Sequence, residues 1–330
     1  MEIKVSNVNE LFSEMFWKLR GEFDESDSRN GRVMKFKEPV LTTILKPTER
    51  VLFHPERDAN PIFHLMESVW MLAGRADVEF LSLFNSTIKQ YSDDGVYFNA
   101  AYGHRMRSHF CQDQLIDAIA ILEKDRNSRQ VIIQLWSPSD LTKSTKDKAC
   151  NTQLMLAVEH DKLNLTVINR SNDMYWGYAG ANPVHFSMIQ EFVAGAVGVE
   201  VGKYFTFSNN LHLYVDLYDA AHYIASPPLW PQYDRYLHGT ATPYPILTGT
   251  TASQWLRDAE EFCHDPFSDK LYYPPFFREV AYPMAMVSYT RRNRQGSGVE
   301  WVNRIAASDW KNATLQWICA RENAATSKLK

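Results

Sequence analysis

Apolar positions recur at helical spacing in the first clear element of the chain, VNELFSEMFWKLRGEF, where Leu11, Met15 and Leu19 share a face and Gly21 offers a stop. A second helix is predicted in NPIFHLMESVWMLAG, with Asn60 and Pro61 suited to its N-cap and first position and Gly74 to its exit. Glu67 falls in the middle of that apolar stretch. The segment QLIDAIAILEK, residues 114–124, puts Leu115, Ile119 and Leu122 on one face, and an apolar strand QVIIQLW follows at 130–136. Beyond Cys150, TQLMLAVEHDKLNLTVINRSND reads as two β-rich runs split at His160, Asp161 and Lys162, which predicts a hairpin. NPVHFSMIQEFVAGAVG predicts a helix entered at Pro183, with Val184, Met188 and Phe192 on one face and Gly198 as its stop. A strand KYFTFSNNLHLY, 203–214, is expected next. Strands and helices are segregated rather than strictly alternating, which predicts an α+β fold built on a mainly antiparallel or mixed sheet with surrounding helices.

Past Tyr273 the pattern changes to a Pro-rich YPPFF, a polar SYTRRNRQGSGVE and a helical SDWKNATLQWICARE. Residues 1–285 therefore read as the main domain and 286–330 as a C-terminal extension with a helix. The 330 residues are 45% hydrophobic and 22% charged, enough for one large core. A net charge of -4 argues against a general nucleic-acid binder, so no DNA partner is expected, and a small anionic metabolite is easier to accommodate. The four cysteines, Cys111, Cys150, Cys263 and Cys319, lack CxxC spacing, which suggests neither a zinc site nor a disulfide framework. With no signal-peptide pattern and no apolar run near the roughly 20 residues of a membrane span, a reduced, cytoplasmic, soluble protein is expected.

Nucleotide-loop and hydrolase motifs are missing: no GxGxxG, Walker loop, HExxH or GxSxG occurs. His64 and Glu67, one turn apart, do not by themselves make a metal site, and none is expected. More telling is KDKACNTQ, 146–153, where Cys150 sits among charged and amide residues although cysteine is usually buried. Arg29, Arg129 and Arg170-Ser171 stand at the ends of predicted elements, the last just before Asp173. Guanidinium groups suit phosphate through bidentate, charge-assisted hydrogen bonds, and converged they would also lower the pKa of a nearby thiol. Each arginine alone is most often a surface ion-pair partner, and spacing does not show convergence.

Eight stretches in order, RNG (29–31), LTT (41–43), FHLMESVWMLAGR (63–75), AYG (101–103), NSRQVIIQLWSPSDL (127–141), KACNTQ (148–153), INRSNDMYWGYAGAN (168–182) and SNNLHLYVD (208–216), resemble the thymidylate synthase and deoxycytidylate hydroxymethylase family. The resemblance covers about residues 5–275. It implies a folate-dependent enzyme that adds a one-carbon unit to C5 of a pyrimidine nucleoside monophosphate. By the same resemblance Cys150 is the nucleophile that adds to C6, and 5,10-methylenetetrahydrofolate is the co-substrate, without a metal. Asn182 matches the base-recognition position, Glu67 the carboxylate acting through water on the ring oxygen and on folate, and Tyr102 the group near the C5 proton. Asp173 and Gly177 match pterin-holding positions, and His212 and Tyr214 the contacts to the sugar 3′-hydroxyl. Arg29, Arg129, Arg170 and Ser171 match the phosphate cradle, part of which comes from a second subunit, so a homodimer with shared sites is implied.

Several departures from the family pattern bear on the product. GYAGANP is one residue longer than the usual turn, and the assignment of Asn182 rather than Ala181 keeps the following helix in register. Asparagine there goes with uracil, aspartate with cytosine, through complementary donors and acceptors. Gln130 replaces the second arginine of a pair, Asn151 the histidine after the nucleophile, and a tryptophan that packs on the transferred methylene is replaced around IKQYSDD, by Lys89. The family's short apolar tail, which excludes water, is met here by a charged TSKLK. A wetter site favours hydroxymethyl over methyl, so hydroxymethylation of dUMP is the expected reaction. The alternatives are hydroxymethylation of dCMP or CMP, true thymidylate synthesis and, in another class, a non-catalytic nucleotide- or RNA-binding homologue. A Cys150–His185 hydrolase lacks any local signature.

Overall fold

The computed structural model describes residues 1–19, 23–225 and 229–327. Among the described residues ten strands form two sheets: β1 (Glu2–Val5), β2 (Phe23–Ser28), β3 (Gly31–Phe36), β4 (Val40–Ile44), β5 (Ile132–Gln134), β6 (Asn151–Glu159), β7 (Lys162–Asn169), β8 (Asn172–Asp173), β9 (Glu200–Ser208) and β10 (Leu211–Tyr214). A six-stranded mixed sheet runs in the order β1-β4-β9-β7-β6-β5, with β1 parallel to β4 and β7 parallel to β9. A four-stranded sheet runs β2-β3-β10-β8. The expected α+β class with a mixed sheet is what the chain adopts.

Most of the predicted elements form where local chemistry demanded them. The first helix is Val8–Leu19; its expected stop at Gly21 lies outside the described residues. Asn60 caps the helix Pro61–Leu72 by accepting the Phe63 N–H at 3.1 Å, and Gly74 leaves it at φ 72°. The helix Gln114–Lys124 has the predicted bounds. His160 and Asp161 both have positive φ, 51° and 57°, the tight-turn geometry that joins β6 to β7. The helix Asn182–Val197 is buried along most of its length between the large sheet and the helices Pro61–Leu72 and Gln114–Lys124, and ends at Gly198 with φ 74°.

Two strand expectations are corrected. The run at 130–136 keeps only β5, because the N–H groups of Leu135 and Trp136 both donate to the Thr152 carbonyl and end the ladder. Residues 203–214 are two strands in different sheets. Asn209 donates to the Asn169 carbonyl, while Asn210 accepts from the Asn172 N–H, so the amide pair turns the chain from one sheet into the other.

The helix expected at 308–322 spans Ser308–Ser327, and the helix Tyr282–Arg292 runs across position 285. Trp310, Ala313 and Ile318 are buried, and Gln316 and Arg321 bond to the Phe53 carbonyl and the Asp58 carboxylate. Among the described residues no helix is long and apolar enough to cross a membrane.

Asp309, on that last long helix, is buried, and its carboxyl accepts from the Tyr236 hydroxyl at 3.1 Å and the Trp310 N–H at 2.8 Å. Burial raises its pKa to about 6 despite those bonds. A raised folded-state value means that stability is greatest below the unfolded carboxyl's pKa and is lost as pH rises through about 6. His54 and His64, held neutral by burial near 4 and 3, act in the opposite sense. The comparison is therefore with Asp309→Asn. From pH 4 to pH 8, urea titrations should show wild-type stability falling by about 2 kcal/mol relative to that variant.

Candidate active site

Two adjoining clefts meet at Cys150 and Tyr102. The first, about 410 Å³, is lined by Arg29, Lys148, Cys150, Arg170, Ser171, Asp173, His212 and Tyr214 among others. The second, about 230 Å³, contains Glu67, Tyr102, Asp147, Asn182 and His185 against walls formed by Trp70, Met71, Leu81, Ile88 and Phe98. The Tyr102 hydroxyl joins them by accepting the N–H groups of Cys150 and Asn151 at 3.0 and 3.2 Å.

Cys150 precedes β6 at the register irregularity between Asn151 and Gln153, a bulge that bends the strand start away from regular pairing. Arg170 leaves β7 beside it: Nε donates to the Ala149 carbonyl at 2.8 Å, and Nη2 lies 3.7 Å from Cys150 Sγ. Arg29, in the β2–β3 turn, reaches across to the carbonyls of Thr145 and Lys146 at 3.3 and 3.2 Å. The expected lowering of the thiol pKa is not what results. Burial is the largest influence on Cys150 and pushes it up; Arg170 and Arg29 pull it down, Asp147 and Asp173 push it up, and the net direction is upward. Arg129 stands exposed between the helix Gln114–Lys124 and β5, outside both clefts of its own chain.

His212 and Asp173 are register partners on β10 and β8, which explains how two residues far apart in sequence share one wall. Burial is the main influence on both, raising the carboxyl and lowering the imidazole, while the attraction between them opposes it. Asp173 Oδ1 caps the following turn at the Trp176 N–H; Oδ2 is buried with no hydrogen-bond partner among the described residues. Tyr214 lies two residues beyond His212, with ring centroids 5.6 Å apart.

Asn182 Nδ2 donates to Asn172 Oδ1 at 3.1 Å, and Asn172 passes the connection to Ser208. Gly177 makes this possible: a Cβ there would stand 3.0 Å from Asn172 Oδ1 and 3.4 Å from Asn182 Nδ2. Glu67 Oε2 lies 3.1 Å from His185 Nε2, off the hydrogen-bonding line, so His185 belongs with Glu67 and not with Cys150. Lys89, expected in place of a tryptophan, lines a separate surface cleft with Arg75 and His109; Ile88 and Tyr91 occupy the wall instead. Among the described residues no three of His, Cys, Asp and Glu converge as metal ligands.

Sequence reasoning missed Lys148, Asp147 and Arg57. The first two sit in KDKAC, which reads as a solvated charge run. Arg57 is buried beneath the site, 4.2 Å over the Tyr175 ring and 5.1 Å from that of Trp176, and nothing in HPERDAN distinguishes it from a surface arginine.

The thiol and Arg170 can be tested together. Iodoacetamide labelling of Cys150, followed by peptide mapping, should inflect at a pH above that of free cysteine in the same buffer. Arg170→Gln should move the inflection further up by removing the nearest cation.

Residues 58–228 match the family described as Thymidylate synthase. The chain is 42% identical to a deoxyuridylate hydroxymethyltransferase of Pseudomonas phage M6, over 98% of this chain and 95% of that protein. It is 38% identical to a protein of the same name from Bacillus phage SP01, over 65% of this chain and 59% of the other. A thymidylate synthase of Symbiobacterium thermophilum is 27% identical over 76% of this chain and 86% of its own length. A cysteine set between a cation-lined and an apolar cleft, a match over half of the chain and a nearly full-length relative lead to one conclusion: this chain belongs to the thymidylate synthase family.

Proposed function

We propose that the protein transfers a one-carbon unit from 5,10-methylenetetrahydrofolate to C5 of dUMP and releases it as the 5-hydroxymethyl nucleotide. The observation that carries this reading is the junction itself: Cys150 lies where a cleft with three cations meets an apolar cleft with a single amide, Asn182, at its end. The names of the phage relatives support the same base and product.

Arg29, Lys148, Arg170 and Ser171 face the phosphate, and His212 and Tyr214 the sugar hydroxyl. Asn182 reads the base, its orientation held by Asn172. Cys150 Sγ adds to C6, with Arg170 Nη2 stabilising the thiolate against the cost of burial. Glu67 acts through water on the ring oxygen, and Tyr102 stands at the C5 proton. The apolar walls of the second cleft suit a fused ring, and Asp173, which lines the adjoining first cleft, holds its N–H donors with Gly177 close by. Folate, when bound there, supplies the carbon at the methylene level.

The protein works as a homodimer that uses the open face of the large sheet. Rows of half-buried or exposed side chains lie across it in register: Ile132, Met155, Thr166 and Phe205, then Ile168, Phe207 and Leu41. Such a face on an isolated chain is an interaction surface. The partner contributes its Arg129 to the phosphate, which accounts for that residue's exposure on its own chain. We place the reaction in the cytoplasm of an infected cell, as the phage origin of the relatives suggests, with residues 286–330 as an extension of the catalytic unit.

Two outcomes follow. Mass spectrometry after incubation with methylenetetrahydrofolate and dUMP, dCMP, UMP or CMP should find 5-hydroxymethyl-dUMP without dihydrofolate, and Cys150→Ala should abolish it. A methyl product with dihydrofolate would assign true thymidylate synthesis. In sedimentation the wild type should run at twice its 38.1 kDa chain mass. Phe207→Asp should run as a monomer and lose turnover.

A further inference from the structure

The second cleft holds one carboxylate for which the reading above has no use. Asp147 lies three residues before Cys150, in the loop that leads into β6, and lines the cleft beside Tyr102 and Asn182. Its Oδ2 accepts the Ala100 N–H at 2.8 Å, while Oδ1 accepts no hydrogen bond among the described residues. The loop that carries it is fixed: the Asp93 carboxylate accepts the Lys146 N–H at 2.9 Å, and the Asp147 carbonyl accepts Asn99 Nδ2 at 3.0 Å. Two other polar groups of the cleft are hydrogen-bonded, and the reading above assigns Glu67 to the ring oxygen. Glu67 lies against His185, the Tyr102 hydroxyl takes two backbone N–H groups, and Asn182 bonds Asn172.

We propose that Asp147 is the catalytic residue that holds and deprotonates the water that adds to the one-carbon unit at pyrimidine C5. This rests on the hydroxymethyl-transfer reading and names the group that carries out its last step. The step begins with the exocyclic methylene on C5 and Cys150 Sγ bonded to C6. The water oxygen bonds to the methylene carbon, and one water proton passes to Asp147 Oδ1. The displaced π pair moves into the ring as the C4 enolate. Its collapse restores the C5=C6 bond and expels Sγ as thiolate, which Asp147 then reprotonates. Nothing is oxidised or reduced, and water supplies the whole hydroxyl group.

The surroundings favour this role. A carboxylate at the cleft wall with one oxygen anchored and the other free to accept holds a water in one orientation. Burial raises the Asp147 pKa, with Asp93 and Asp140 adding to the rise and the Ala100 N–H and Arg105 opposing it, so the carboxylate is a stronger base than an exposed aspartate.

The test uses the reverse of this step and needs no folate. The protein incubated with 5-hydroxymethyl-dUMP in H₂¹⁸O should label the hydroxymethyl oxygen, as Cys150 adds, water leaves and labelled water returns. Cys150→Ala should not label. Asp147→Asn, which keeps an acceptor for Ala100, should label at least about 100-fold more slowly. It should still form the covalent Cys150 adduct with 5-fluoro-dUMP and methylenetetrahydrofolate. Asp147→Glu, which restores a carboxylate, should recover part of the exchange and serves for comparison if the amide variant fails to fold. Wild-type exchange rates in Asp147→Asn, or loss of exchange and adduct together, would overturn the proposal. A wild type that exchanges nothing and makes only methyl product would overturn the hydroxymethyl reading, and this role with it.

Discussion

One hydroxyl, that of Tyr102, accepts the N–H groups of both Cys150 and Asn151, and the two clefts depend on it. These two donors stand at a bulged strand start, where regular pairing fails, and a buried N–H without a partner costs about as much as a lost hydrogen bond. Tyr102 is itself held from two sides. Gly103 lets its turn press onto the helix Pro61–Leu72, where a Cβ would come within 2.1 Å of the Met71 carbonyl. The buried Arg105, paired with Asp140 and bonded to the carbonyls of Asn99 and Leu135, ties the same turn to the strand beside β6. The position of Cys150 is thus set by packing on one side and a buried ion pair on the other.

Electrostatics in the site is a contest that burial wins on its own. Arg170 and Arg29 act on the thiol in the direction that a nucleophile needs, yet Cys150 is withdrawn far enough from water that its protonated form is favoured. The same balance governs Asp173 and His212, which attract each other but are both driven toward neutrality. Such groups are poised: a bound anion or a donor from a ligand changes which form is favoured.

Local signals were strongest where one residue type answers one backbone need. Asn60 and Pro61 at a helix start, Gly198 at a helix end and a polar pair between two β-rich runs each solve a short-range problem, and each element formed as read. The failures were long-range. KYFTFSNNLHLY has the composition of one strand, and only the competing partners Asn169 and Asn172 divide it between two sheets. Lys89 and Ile88 are neighbours in sequence, but the turn of the chain puts them on different surfaces.

By itself the sequence determined most of the elements, the α+β class and the family, because periodicity, capping and ordered motifs are local records of chemistry. It could not decide which charges are withdrawn from water, since that depends on what packs over them. The upward shift of Cys150, the burial of Arg57 under Tyr175 and the turning of Asp147 into an apolar cleft exist only after distant elements meet. Desolvation depends on the whole surrounding volume, which no stretch of chain encodes alone, and for that reason only the tertiary structure settled it.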